Sequence, residues 1–303
     1  CADLYDNLFP FFLTDANLLK IRQDKASSRE GHIVRYAGLI FFGLILSSAT
    51  FAAGGGKNPF VTPSNVDVSD NASIQRGAKY FTNYCMGCHS TKYVRYQLMK
   101  KVGLSEEQIK ENLIFDGSKP GSVMTIAMPS ADAGAWFGAA APDLTLESRL
   151  RHGPDWVYSY LKGFYSDSSR PMGVNNTVFP NVGMPNVLWE LEGVKKAAFR
   201  FDILQDGKIV ESFDNEKEAL SYKAKDKNFK INKVVDKLVQ DKKGRMSDEE
   251  FDQVAKDLAT YMAFISEPIA EDRKRLGVYV LLFLAVFTTL AYLTKKEWWK
   301  DIH

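Results

Sequence analysis

Five consecutive residues, Cys85-Met86-Gly87-Cys88-His89, constrain this chain more than any others. Two thiols separated by two residues and followed at once by an imidazole form the C-x-x-C-H pattern through which c-type haem is attached. The spacing has a physical reason. The two sulfurs reach the two vinyl-derived positions of one porphyrin, and the next residue, His89, is then held beneath the iron as its proximal ligand. Other readings of the pair fail on context. A redox C-x-x-C belongs near a βαβ pattern, which is missing, and a structural zinc site wants four ligands, whereas no second Cys/His pair exists. The third cysteine is Cys1, so the three cannot build a disulfide framework.

Two long apolar stretches bracket the motif. Residues 36–53 follow Arg29, His32 and Arg35 and end in small residues from Ser47 to Ala53. Basic flank, short apolar centre and small-residue end are the layout of a secretory signal, with cleavage expected near Ala52. The alternative is a retained membrane helix. The first methionine is Met86. Residues 1–33 are therefore expected to be an extension of uncertain status, with the signal peptide at 34–52. The second stretch, 276–293, holds no charge and is long enough to cross a hydrocarbon core. Arg273, Lys274 and Arg275 precede it and Lys295, Lys296 and Lys300 follow, so positive charge at both ends leaves its orientation open. Trp298 and Trp299 suit an interfacial belt. The 45% hydrophobic and 25% charged residues are a globular balance. A net charge of +2 is too close to neutral for a nucleic-acid binder, which needs a concentrated basic face.

Between the stretches, Gly54-Gly55-Gly56 and an extended segment with Pro59 and Pro63 read as a linker. The periodicity predicts helices over 73–85, 105–113 and 155–164, and an irregular Gly/Ala/Pro/Met-rich segment over 119–142. Phe199, Phe201 and Ile203 alternate ahead of Asp206-Gly207 and of Ile209, Val210 and Phe213, which predicts a β-hairpin. The Lys/Asp-rich residues up to 243 read as a solvated insertion. Ser247 and Glu250 form a capping-box pattern, and Phe251, Val254, Leu258, Tyr261, Met262 and Ile265 follow at helical spacing toward Pro268.

An electron-transfer haem usually takes a methionine sulfur as its other axial ligand, which raises the reduction potential. Of eight methionines, Met86 lies inside the attachment loop, Met99 is close in sequence, and Met246 and Met262 belong to the late helix. Met124, Met128, Met172 and Met184 remain. Met184, in Val182-Gly183-Met184-Pro185, has the stiff surroundings that present a side chain to iron. Met128, also followed by proline, is its main rival, and His152 is a possible alternative.

These motifs resemble the cytochrome c1 family of the ubiquinol–cytochrome c reductase (cytochrome bc1) complex, in its bacterial form. The resemblance is carried by Arg76-Gly77-Ala78 leading into the attachment motif, by Ala141-Pro142-Asp143-Leu144 with Arg149 and Arg151-His152-Gly153, by Gly183-Met184-Pro185 with Leu188-Trp189, and by Glu267-Pro268 ahead of one terminal span. It implies a mainly α fold: a cytochrome c-like haem domain with loop and β-hairpin insertions at 53–268, and a transmembrane anchor with a short cytoplasmic tail at 269–303. It implies one covalent haem c on Cys85 and Cys88, iron ligated by His89 and Met184, and Arg149 paired with a haem propionate. Tyr93, Arg95 and Tyr96 resemble the family's haem-edge region. The implied role is electron transfer from the Rieske iron–sulfur protein to a cytochrome c beside cytochrome b, contributing to respiratory proton translocation. The isolated chain is then not an enzyme, and its partners are those proteins and membrane lipid, not nucleic acid. It would cross the bacterial inner membrane once, with the haem domain in the periplasm. The rival readings are a tethered carrier outside the complex, a haem peroxidase and a haem sensor.

Overall fold

The computed structural model describes residues 58–150, 153–226 and 228–300. The signal-like segment, the extension before it and His152 lie outside the described residues. Residues 57–277 form one compact unit, and the helical segment from Val278 onward falls outside it.

The unit is organised by two helices far apart in sequence, α1 (Asn71–Tyr80) and a late helix (Asp248–Ser266). Asp70 caps α1 by accepting from the Ser73 amide at 3.0 Å. α1 continues as a π-helical turn over Phe81–Cys85, which delivers the first cysteine of the C-x-x-C-H motif. α2 (Glu106–Leu113) starts at Ser105 with a capping box completed by Gln108. Four helices follow: α3 (Ser130–Phe137), α4 (Glu147–Leu150), α5 (Pro154–Lys162) and α6 (Trp189–Glu192). α7 (Glu216–Lys223) precedes the late helix, now α8, and α9 (Ala270–Trp298) ends the described chain.

α8 begins with the capping box expected of Ser247 and Glu250, the two bonds measuring 3.2 and 2.9 Å. Its predicted apolar stripe is buried throughout, from Phe251 to Ile265. That stripe meets Ile74 and Ala78 of the first helix and Phe81 of the turn that follows it, with the Phe81 and Tyr261 rings 5.2 Å apart. One residue makes the close approach possible. A side chain on Gly77 would run into the Asp257 backbone carbonyl and the Tyr261 Cβ. Beside it the Asp257 carboxylate is buried, and it accepts from Ser73 Oγ, from Arg76 Nε and a terminal Arg76 nitrogen, and from Gln253, at 2.7–2.8 Å. A buried carboxylate needs this full set of partners.

Strand β1 (Thr91–Arg95) pairs antiparallel with β2 (Val123–Met124), and β3 (Phe164–Ser166) with β4 (Val174–Asn176). β5 (Gly193–Gln205) and β6 (Lys208–Phe213) form the expected hairpin. Asp206 and Gly207 both have positive φ, 51° and 77°, the turn whose twist matches its strands.

Three expectations need correction. The Lys/Asp-rich stretch is not simply solvated: α7 and β7 (Lys230–Lys243) order it, and β7 adds a third antiparallel strand along β5. Phe201, Ile203 and Ala219 form a small core there, and Lys233 lays its ammonium 4.2 Å from the Phe199 ring centroid. Charged side chains hid a strand whose inner face needs only a few apolar residues. The segment 119–142 contains β2 and α3, the helix opening behind Pro129 and stopping at Gly138, which has a φ of 79°. The stretch around Pro63 is docked rather than a free linker. Asn58 donates to the Thr177 and Val178 carbonyls, and the Ser64 amide and hydroxyl donate to Asp155 at 2.8 and 2.6 Å.

α9 has 29 residues, none of them buried, and its centre is apolar without a charge. It is long and apolar enough to cross a membrane.

The Gly77 contact is testable. In Gly77→Ala, overpacking against rigid backbone costs about 1–3 kcal/mol, against about 1 kcal/mol of helix preference gained. The thermal midpoint of the detergent-solubilised protein should fall by several degrees; an unchanged midpoint would contradict this helix contact.

Candidate functional site

The π-helical turn ends on a carbonyl that organises the motif. The Cys85 oxygen accepts from the Cys88 amide at 3.1 Å and from the His89 amide at 2.9 Å. This tight turn folds both thiols and the imidazole onto one short piece of backbone. Neither Cys85 nor Cys88 is in a disulfide. Burial, then the neighbouring Cys88, pushes the Cys85 thiol up to about 12. Burial at this position favours a neutral sulfur over a thiolate. Among the described residues no group of three His, Cys, Asp or Glu side chains could hold a metal ion.

His89 is buried, and its Nδ1 lies 2.8 Å from the Pro142 carbonyl. A carbonyl only accepts, so Nδ1 carries the proton and Nε2 keeps its lone pair. Burial pulls the imidazolium pKa below its ordinary value, against the pull of the Pro142 bond, so the ring stays neutral. An oriented, neutral imidazole whose far nitrogen is a lone-pair donor is what a metal ligand requires. The two residues that follow Pro142 are themselves pinned to the segment after the motif. The Leu144 amide donates to the Ser90 carbonyl at 2.9 Å, and the Lys92 amide donates to Asp143 at 2.7 Å.

The methionines separate by burial. Met99, Met124 and Met262 are core residues, and Met246 packs against the same core. Met86 accepts from the Tyr96 hydroxyl at 3.7 Å. Met128, Met172 and Met184 are half-buried. Met184 has the more elaborate setting: its Sδ accepts from the Tyr160 hydroxyl at 3.4 Å. A Cβ on Gly183 would lie 4.0 Å from the Phe137 carbonyl, so the Met184 loop touches the end of α3. From Phe137 to the His89 acceptor Pro142 is five residues, which span at most about 18 Å. The two sequence-predicted axial ligands are thus tied to opposite ends of one short loop. Phe137 and Phe179 both show exposed aromatic surface near this loop, Phe179 standing edge-on to Trp156 at 6.3 Å.

Arg149 sits on α4 and forms an ion pair with Glu267, which also takes Arg273 at 2.6 Å. Tyr96 is buried, Tyr93 is exposed, and Arg95 donates to the Gly121 carbonyl.

Sequence reasoning missed Asn175 and Asn176, two buried amides on β4. Asn176 Nδ2 donates to the Tyr160 carbonyl at 2.8 Å, and its Oδ1 accepts from the Val178 and Phe179 amides. Asn175 Oδ1 accepts from the Asn181 amide at 2.8 Å. Together they template the chain from β4 to the Met184 loop. An Asn-Asn pair ahead of Pro180 was the available signal.

The sequence profile of the cytochrome C1 family matches residues 62–115 and 124–302. The chain belongs to the cytochrome c1 family. Membership places it among the haem-bearing electron-transport proteins of respiratory chains. It is 44% identical to a cytochrome c1 of Allochromatium vinosum over 88% of this chain and 98% of that protein. A protein of Nitrosomonas europaea named ammonia monooxygenase gamma subunit is 37% identical over 86% of this chain and 96% of its own length. A cytochrome c1 of Rhodospirillum rubrum is 30% identical over 77% of this chain and 83% of its own.

Asn176→Ala leaves two amides and a carbonyl without their partner, a loss of at least about 2 kcal/mol. It should also speed proteolytic nicking between residues 177 and 185, read by limited digestion and mass spectrometry. Cleavage no faster than in the parent would remove the asparagine from this role.

Proposed function

We propose that this chain is the cytochrome c1 subunit of a bacterial quinol–cytochrome c oxidoreductase. It would carry electrons from a Rieske iron–sulfur protein through one covalent haem c to a cytochrome c. The observation that carries the reading is the His89 ring, held neutral with Nε2 as lone-pair donor by the Pro142 carbonyl, beside two thiols closed by one backbone turn. The residues present fit the group. Cys85 and Cys88 would form the thioether links, His89 and Met184 would ligate the iron, and the haem would supply a one-electron couple.

Every other part is the chain's own. The Cys85 turn sets the spacing of the links, Pro142 orients the imidazole, and the asparagine pair holds the methionine loop. A thioether ligand from Met184 would favour the ferrous state of the bound haem. The Arg149 guanidinium has five N–H donors; it can keep Glu267 and still serve a propionate. No side chain is asked for acid, base or nucleophile chemistry, so the isolated chain has no enzymatic step of its own. The haem domain is a cytochrome c-like fold placed in the periplasm, and α9 anchors it once in the inner membrane beside cytochrome b.

Replacing Met184 with alanine should leave the haem covalently bound while changing the optical and magnetic signature of a thioether-ligated iron and lowering the midpoint potential. A spectrum untouched by the replacement would refute the ligand assignment. Cys85→Ala with Cys88→Ala should abolish haem that survives denaturing electrophoresis. Co-purification of the anchored protein with cytochrome b separates this reading from a carrier that works outside the complex.

A further inference from the structure

The side chain that touches Met184 sulfur is itself unusually well fixed. Tyr160 lies on α5, stacked on Trp156 with ring centroids 5.0 Å apart and planes 12° apart. Phe164 meets its ring edge-on at 5.3 Å. Its backbone carbonyl takes the Asn176 amide at 2.8 Å, and the same Asn176 holds the amides of Val178 and Phe179 ahead of the methionine loop. One buried amide thus joins the donor's helix to the acceptor's loop, and the ring is clamped on both sides. The hydroxyl is aimed at Sδ by packing rather than by a flexible side chain's choice.

We infer that Tyr160 is a positioning and tuning residue: its hydroxyl, hydrogen-bonded to Met184 Sδ, fixes the thioether and raises the reduction potential of the haem that sulfur ligates. The inference rests on the assignment of Met184 as axial ligand. Its physical basis is electron demand. Ferric iron draws more density from a sulfur donor than ferrous iron does. A proton shared with the sulfur lone pair competes with that donation, so it penalises the oxidised state more and favours uptake of one electron. Groups beyond the ligand shell tune metal sites in this way. Tyr158, two residues earlier, turns its hydroxyl instead to Asp252 and Lys162, which makes it an internal control.

The test is Tyr160→Phe in the full-length membrane protein, with Tyr158→Phe and Met184→Ala beside it. Tyr160→Phe keeps the ring and its stacking and removes only the donor. Covalent haem content should be unchanged. The midpoint potential should fall, with the ferric form gaining at least about threefold over the ferrous, roughly 30 mV at 59 mV per tenfold change for one electron. The thioether-to-iron charge-transfer band of the ferric protein should move, and Tyr158→Phe should shift neither. In the unsubstituted protein, the iron–sulfur stretching vibration should shift in heavy water, where the hydroxyl becomes O–D; this reading holds even if the variant loses haem. If Met184→Ala alters the spectrum but neither Tyr160→Phe nor heavy water does, the inference falls and the ligand assignment stands. If Met184→Ala alters nothing, the ligand assignment fails.

Discussion

The buried carboxylate of Asp257 is the joint on which the domain turns. It gathers Ser73 and Arg76 from the first helix onto the last helix of the domain, across more than 180 positions of sequence. Gly77 lets the two backbones close on each other at the same level. Because the C-x-x-C-H turn grows directly from the end of α1, whatever fixes α1 against α8 also fixes Cys85 and His89. A charge so deeply placed is costly unless every lone pair is used. Here four donors share two oxygens, and those from Ser73 and Arg76 tie the helix that leads into the turn to α8.

The two sides of the proposed iron site are then built by different means. On the imidazole side, a single backbone acceptor decides tautomer and orientation, and the segment carrying it is pinned to the strand after the motif. On the thioether side no regular element presents the sulfur. Two asparagines replace a strand ladder, their short amides standing in for backbone partners that a Gly/Pro-rich loop lacks. The sides meet at residues 138–141, which run from the end of α3 near Gly183 to the acceptor of His89.

Much of this was legible in the chain before any coordinates. The apolar stripe of α8 with its Ser247–Glu250 box, the Asp206-Gly207 turn and the terminal apolar run each depend on residues within a few positions of one another, and local chemistry decided them. What was hidden depends on distant partners. Nothing near Tyr160 in sequence distinguishes it from a core aromatic; its role comes from a loop 24 residues on. Strand β7 reads as a charged surface because it is half of one: its apolar side is used only against Phe199, Phe201 and α7. The docking of Asn58 and Ser64 was equally invisible, since a polar extended segment looks the same whether water or a neighbouring helix satisfies it.

The charge of that strand has its own consequence. β7 lies at the outer edge of its sheet, fourteen residues long, and among the described residues nothing pairs with its far side. Open edges recruit other open edges, and domains tethered to a bilayer meet their copies at high local density. Lysines at 230, 233, 237, 242 and 243 punctuate this one, so two copies brought edge to edge would repel before their backbones could bond. The composition that disguised the strand is what keeps crowded neighbours from adhering through it.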